Sequence, residues 1–320
     1  MTRILITRPL PEAICEAARL LPGVEVEVRQ MTTPMKPGEM RGALVIFDVI
    51  LPTLGDLFAA DIFADVPEPR TKLLANFGVG YNHIDVAAAR EAGVAVTNTP
   101  GAVTDATADI AMTLMLMTCR RAGEGERLVR AGNWQGWHPA QMLGTHVTGK
   151  TVGIIGMGRI GKAVARRCHY GFGMDVVFFN RSAVADPGMP AEQMDSIEAV
   201  ARRADILVIA VPGGAETRHL IGAPVFAAMK RSGILVNISR GDVVHESALV
   251  KALQANRIAG AGLDVYEFEP QVPEALKLME NVTLLPHLGT AAQDVREAMG
   301  LMAVENIRAH LAGQPLPNAV

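Results

Sequence analysis

The sequence predicts an α/β protein built from two doubly wound parallel sheets, and three observations carry that reading. Short apolar, β-branched runs alternate with helix-like segments along nearly the whole chain. At 320 residues the chain is longer than one hydrophobic core usually organises. An irregular stretch ending near residue 150 is followed by a second regular alternation.

Residues 3–7 (RILIT) read as the first strand, and EAICEAARLL after Pro9 and Pro11 reads as the helix that completes a βα unit. Residues 24–28, 43–47 and 73–75 read as further strands. Residues 85–92 predict a helix ended by Gly93, and VAVTN from Val94 predicts the next strand. From Thr104, TDATADIAMTLMLMTCRRAGEGERLVRAG keeps its apolar residues at helical spacing behind a threonine that can cap it, which predicts one long helix.

Residues 133–150 lose periodicity and carry both tryptophans, which marks an irregular connection. From Thr151 the alternation resumes: TVGIIG, a helix, DVVFF, a helix at 197–203, DILVIAV, a helix near 225–230, and GILVNIS. DVREAMGLMAVENIRAHLAG is helix-like with no strand after it, so it is free to pack back on the first domain.

Composition narrows the function. Charged residues make up 20%, the net charge is −3 and no like-charge block occurs, so no footprint for nucleic acid is visible. Cys15, Cys119 and Cys168 are odd in number and lack CxxC spacing, so they read as reduced thiols, with neither a disulfide framework nor a metal site. The N-terminus MTRILITRPLPEA is unlike a signal peptide and no apolar run could span a bilayer, which leads to the expectation of a cytoplasmic protein without a membrane partner. No internal repeat or low-complexity tract is present.

The strongest motif is Gly156-Met-Gly158-Arg159-Ile160-Gly161, placed between a strand and a helix. In that context Gly156 allows the tight turn, Gly158 lets backbone amides approach a pyrophosphate, and Gly161 lets helix and strand pack closely, with the helix N-terminus facing the phosphates. An acidic residue about 20 positions on, at the end of the next strand, would bind the ribose of NAD. This chain has Asn180-Arg181-Ser182 there, and the guanidinium and hydroxyl suit a 2′-phosphate, so NADP(H) is favoured with NAD(H) as the second option.

Three ionisable residues follow strand-like runs: Arg240 in NISRG, Glu269 in DVYEFEP and His287 in TLLPHLGTA. Taken singly each has a bland reading: a surface arginine, a turn glutamate before Pro270, a satisfied histidine after Pro286. With the upstream glycine motif, with ANFGVGYNHID (75–85), VTNTPGAVTDATADIA (96–111) and GLDVYEFEP (262–270), the chain resembles the D-isomer-specific 2-hydroxyacid dehydrogenase family over nearly its whole length.

The resemblance implies a Rossmann-like dinucleotide domain (100–288) and a discontinuous flavodoxin-like substrate domain (1–99 plus 289–320), with a cleft that closes between them. It implies NAD(P)-dependent reduction of a 2-oxo acid to the D-2-hydroxy acid. His287 would be the general acid/base, Glu269 its orienting partner, and Arg240 the clamp on the substrate carboxylate. Val79 and Gly80 would add backbone amides to that carboxylate, and Asp264 would accept from the nicotinamide carboxamide.

Thr104, Val211, Pro212, Thr217, Ile238, His287 and Gly289 are implied as further cofactor contacts. Asn180-Arg181-Ser182 and the segment NWQGWHPAQMLG resemble the glyoxylate/hydroxypyruvate reductase branch. Trp137 would lie near a homodimer interface and shape a substrate pocket, its own or the partner's, or only pack that interface. Leu51, in FDVILPTLGD, would form part of the substrate wall.

Two alternatives stay open at this stage. One is a reductase for a bulkier 2-oxo acid, and the other a nucleotide-sensing corepressor-like binding protein that keeps the three ionisable residues.

Overall fold

The computed structural model describes residues 1–320 throughout. The chain divides into two compact units, one formed by Met1–Val103 with Ala291–Val320 and the other by Thr104–Thr290. The breaks thus fall a few residues after the expected positions at 99/100 and 288/289.

The first unit runs β1 (Thr2–Ile6), α1 (Glu12–Arg19), β2 (Val24–Val28), α2 (Pro37–Ile46), β3 (Val49–Leu51), α3 (Ala60–Ala64), β4 (Leu73–Ala75), α4 (Val86–Glu91) and β5 (Ala95–Thr97). Its five strands are all parallel in the order β2-β1-β3-β4-β5. Side chains alternate across the sheet with a period of two. Leu5, Ile50, Leu74 and Val96 join the α2–α4 side, while Ile4, Ile6, Val49, Leu51 and Leu73 join the α1 side.

The C-terminal helix, Gln293–Leu311, completes this second layer with Ala303, Val304 and Ile307. A methyl group on Gly300 would lie 2.1 Å from Ile14 Cδ1, so glycine is what lets this helix pack directly on α1.

The second unit runs α5 (Thr104–Cys119), α6 (Ala122–Arg130), β6 (Thr151–Ile155), α7 (Arg159–Arg166), β7 (Asp175–Phe179), β8 (Glu192–Gln193), α8 (Ile197–Arg203), β9 (Ile206–Ile209), α9 (Ala223–Ala228), β10 (Ile234–Asn237), α10 (Glu246–Gln254), β11 (Gly260–Leu263), α11 (Glu274–Lys277) and β12 (Val282–Leu284). The C-terminal helix of the first unit is then α12. The seven strands are parallel in the order β12-β11-β10-β9-β6-β7-β8. Strand order reverses between β6 and β9, and such a switch point opens a crevice at the carboxyl ends of the strands.

Two expectations for secondary structure fail, for identifiable reasons. Residues 43–47 are not a strand: α2 starts at Pro37, Glu39 accepts the Lys36 amide at 2.7 Å, and Met40, Ala43 and Leu44 are buried at helical spacing. The strand of that region is β3, three residues long and entirely buried.

The helix from Thr104 is likewise two helices. The Cys119 carbonyl accepts from the Thr145 amide at 2.7 Å, Gly144 lies against it, and Arg121 takes a left-handed φ of 53°. Residues 133–150 contain no helix or strand, and Trp137 in that segment is 79% exposed.

Candidate active site

At the switch point the glycine motif forms the turn from β6 into α7. Gly156 has φ of 98° and sits where a Cβ would lie 2.8 Å from the Ala210 carbonyl oxygen and from Val211 Cγ1. A Cβ on Gly161 would fall 2.0 Å from the Gly156 carbonyl oxygen, so only glycine allows α7 to start this close to the strand. Gly158, by contrast, faces open space.

No side chain caps α7, so the amides of Arg159 and Ile160 stand at the positive end of its dipole without a side-chain acceptor. An open glycine, an uncapped helix start and a strand-order switch fit the pyrophosphate of a dinucleotide.

Asn180 closes the other side of the turn. Its Oδ1 accepts the Met157 amide at 3.2 Å, and its Nδ2 donates to the Ser182 carbonyl at 3.0 Å. Arg181 is exposed and donates through Nη1 to Glu216 Oε2 at 2.5 Å. Glu216 belongs to a single 3-10 turn that Thr217 anchors by donating to the carbonyls of Pro212 (2.8 Å) and Gly214 (3.2 Å). Val211 is half-buried, while the Ile238 side chain is buried in the core, so Ile238 can meet a cofactor only through its backbone.

The three ionisable residues all lie in this second unit, beyond the carboxyl ends of β10, β11 and β12. Arg240 Nη1 donates to the Ser239 carbonyl at 2.8 Å, and its stem crosses Gly213, where a Cβ would lie 2.5 Å from Arg240 Cγ. Asn237 holds the turn before it, donating to the Arg240 carbonyl at 3.0 Å and accepting from Ser239 N at 3.1 Å. Burial pushes the Arg240 guanidinium below its usual value, opposed by the carboxylates of Glu269 and Asp242.

Glu269 Oε1 accepts the Tyr266 amide at 3.0 Å, and its Oε2 lies 2.8 Å from His287 Nδ1. Burial works to raise this carboxyl, but the His287 hydrogen bond and charge, the Tyr266 amide and Arg240 outweigh it and hold Glu269 below the ordinary carboxylate range. The carboxylate therefore accepts from Nδ1–H and leaves Nε2 of the 28%-exposed imidazole as its other working atom. His287 itself has φ of 55°, a conformation that a non-glycine residue keeps only where its neighbours hold it.

Asp264 is that neighbour. Its carbonyl accepts the His287 amide at 2.9 Å, and its two carboxylate oxygens accept the amides of Leu288 (2.6 Å) and Gly289 (2.8 Å). It is 1% exposed, and burial raises its carboxyl. Asp264 thus anchors the His287 segment.

Thr107, three residues past Thr104 on α5, donates to the Gly289 carbonyl at 3.1 Å and ties the same segment from the other side. The sequence reading missed Thr107, Asn237 and Gly213. Thr107 and Asn237 act through backbone contacts and Gly213 by leaving room for the Arg240 stem, and only the surrounding motifs could have pointed to them.

In the first unit Val79 and Gly80 lie in a loop after β4, half-buried, and their N–H groups find no backbone acceptor within that unit. Leu51 corrects the expectation made for it. It is fully buried in the strand core, packed among residues such as Ile4, Ile6 and Leu73, so it offers no side-chain surface to a substrate. The three cysteines are buried, and burial pushes the Cys119 and Cys168 thiols up to about 11 and about 12, which keeps them protonated and inert. No helix is long and apolar enough to cross a membrane.

The profile described as "D-isomer specific 2-hydroxyacid dehydrogenase, NAD binding domain" matches residues 112–289. A glyoxylate reductase of Thermococcus kodakarensis is 41% identical over 326 residues, covering 99% of this chain and 96% of the relative. Among solved structures, a protein of Thermus thermophilus superposes with a TM-score of 0.91 at 38% identity, covering 100% of both chains. An NADPH-dependent glyoxylate/hydroxypyruvate reductase of Sinorhizobium meliloti, in complex with NADP and malonate, superposes with a TM-score of 0.88 at 34% identity, covering 100% of this chain and 96% of the other.

Proposed function

The chain belongs to the D-isomer-specific 2-hydroxyacid dehydrogenase family, an oxidoreductase family acting on CH–OH donors, and we propose that this protein reduces glyoxylate and hydroxypyruvate to the 2-hydroxy acids with NADPH as the preferred reductant. One observation carries the reading: His287 and Glu269 are hydrogen-bonded at 2.8 Å in the same unit as Arg240 and an open dinucleotide turn.

The reduced nicotinamide supplies the hydride when bound. Gly158, the amides opening α7 and Asn180-Arg181-Ser182 hold the dinucleotide, with Thr104, Val211, Pro212, Thr217, Ile238 and Gly289 as further contacts. Arg240 grips the substrate carboxylate and polarises the adjacent carbonyl, a task that suits a two-pronged donor which stays charged despite its burial.

The amides of Val79 and Gly80 are assigned to the same carboxylate. His287 donates the Nε2 proton to the carbonyl oxygen as the C–H bond forms, and takes it back in the oxidative direction. Glu269 accepts from Nδ1–H, which fixes the tautomer and orientation of the ring.

Preference for NADPH rests on Arg181 and Ser182 where an NAD site would place a carboxylate. The expected homodimer belongs to this reading, supported by the exposure of Trp134 (53%) and Trp137 (79%) in the irregular segment. The test is product identification: glyoxylate with NADPH should give glycolate mole for mole with NADPH consumed, and absence of glycolate would remove the assignment.

A further inference from the structure

Below the loop that carries Val79 and Gly80 lies a buried polar cluster for which the catalytic reading has no use. Asn76, fully buried, donates through Nδ2 to the carbonyls of Gly78 (3.0 Å) and Gly80 (3.1 Å). Its Oδ1 lies 3.0 Å from Nε2 of His83, which is 6% exposed. Asn98 Nδ2 donates to the Val79 carbonyl at 2.9 Å, and the Thr99 amide donates to the Gly78 carbonyl at 3.1 Å. Three successive carbonyls are therefore all held by groups of their own unit.

In a trans peptide the C=O of one residue and the N–H of the next point in opposite directions. Fixing the Gly78 carbonyl inward turns the Val79 N–H outward, and fixing the Val79 carbonyl inward turns the Gly80 N–H outward. Those two amides have no backbone acceptor within their own unit. The result is a pair of adjacent donors aimed away from the sheet, a nest suited to a carboxylate.

We propose that Asn76, His83 and Asn98 are positioning residues that hold the amides of Val79 and Gly80 in register for the substrate carboxylate. The proposal rests on the assignment of those amides to the carboxylate. Because both hydrogens of the Asn76 amide are directed to carbonyls, its oxygen must face His83, and the imidazole must carry its proton on Nε2. His83 thereby locks the orientation of the Asn76 amide, and a buried polar pair of this kind is costly to leave half-satisfied.

The experiment compares full-length wild type, His83→Leu, His83→Gln and Asn98→Ala at saturating NADPH, measuring KM and kcat for glyoxylate, the NADPH Kd and the Tm. His83→Leu should raise the glyoxylate KM on the order of 10-fold, the loss of about one net hydrogen bond, with the NADPH Kd unchanged. His83→Gln, which restores an N–H donor, should recover most of that loss. Asn98→Ala removes only the bond to Val79 and should raise KM with little change in Tm, so the proposal stays testable if His83→Leu fails to fold.

Wild-type turnover with KM unchanged in the folded variants overturns this proposal alone. KM losses that His83→Gln does not rescue, or that track the Tm, also overturn it. No turnover of any 2-oxo acid by the wild type overturns the assignment on which it rests.

Discussion

His287 Nδ1 lies 2.8 Å from Glu269 Oε2, and the two residues follow different strands of one parallel sheet. The pair makes a directional prediction. His287→Ala should lower kcat by about 10²–10⁴, the range for loss of a general acid, while the NADPH Kd stays near wild type because no phosphate contact is touched. Stopped-flow turnover with parallel NADPH titration checks this, and full activity in the variant would end the role assigned to His287.

Glu269 gives the pH dependence. Its carboxyl is held below the ordinary range in the folded protein, so it stays ionised at neutral pH. The stability it adds is present above the ordinary carboxylate range and is lost as pH falls through the lowered value. Glu269→Gln removes that charge, so the acid-side fall in Tm should be smaller than in the wild type, while loss of the Nδ1–H acceptor should lower kcat with the NADPH Kd near wild type. An acid-side Tm profile identical to the wild type would show that Glu269 does not carry this dependence.

Arg240→Lys should keep the charge and lose the fork. The expected result is a fall of about 10²-fold in kcat/KM for the oxo acid, similar to removing one preorganised donor, with NADPH binding intact. A variant with wild-type kinetics would place the carboxylate elsewhere.

Arg181 and Glu216 meet at 2.5 Å on the exposed edge of the dinucleotide site, so a 2′-phosphate would have to share the guanidinium with a carboxylate. Arg181→Asp combined with Ser182→Ala should cut the NADPH/NADH ratio of kcat/KM by about 10-fold or more through like-charge repulsion. Glu216→Gln should shift the ratio the other way, and the shift should shrink as salt screens the exposed charges. A ratio unchanged by either substitution would refute the cofactor assignment.

Two glycines of the turn separate stability from binding. Gly161→Ala places a methyl group 2.0 Å from a backbone oxygen and should destabilise the fold by about 1–3 kcal/mol, the usual cost of overpacking, or more. Gly158→Ala meets open space, so its Tm should scarcely move while NADPH affinity falls. Thermal melts of both variants with and without NADPH check the contrast.

What the sequence made legible follows from what each signal measures. Strands such as 24–28 and helices such as α8 showed through because their apolar period and their caps are local. Residues 43–47 misled because ALVIF is apolar throughout, and only Pro37 and Glu39 upstream show that it continues a helix. The break at Arg121 depends on Gly144, more than 20 positions later, reaching the Cys119 carbonyl.

Strand β11, GAGL, has little strand propensity. Gly262 is there because α5 crosses the strand, a Cβ falling 2.9 Å from Thr118 Oγ1, and Gly260 because a Cβ would lie 2.5 Å from the Asn281 carbonyl oxygen. At the site, the residues with strand-end positions and charged groups were readable. Asn76, Asn98 and Thr107 were not, because each works by holding a backbone carbonyl that is remote in sequence or hidden in a loop. Leu51 was misassigned because it sits in a three-residue strand that is buried throughout.

Initial rates of reduced-nicotinamide oxidation with glyoxylate, hydroxypyruvate, pyruvate and phenylpyruvate, each with NADPH and with NADH, decide whether this protein is an NADPH-linked reductase of small 2-oxo acids. Glyoxylate and hydroxypyruvate should turn over rapidly, faster with NADPH at equal concentration. Tight NADPH binding without turnover of any of the four, or a marked preference for phenylpyruvate or for NADH, would rule that function out.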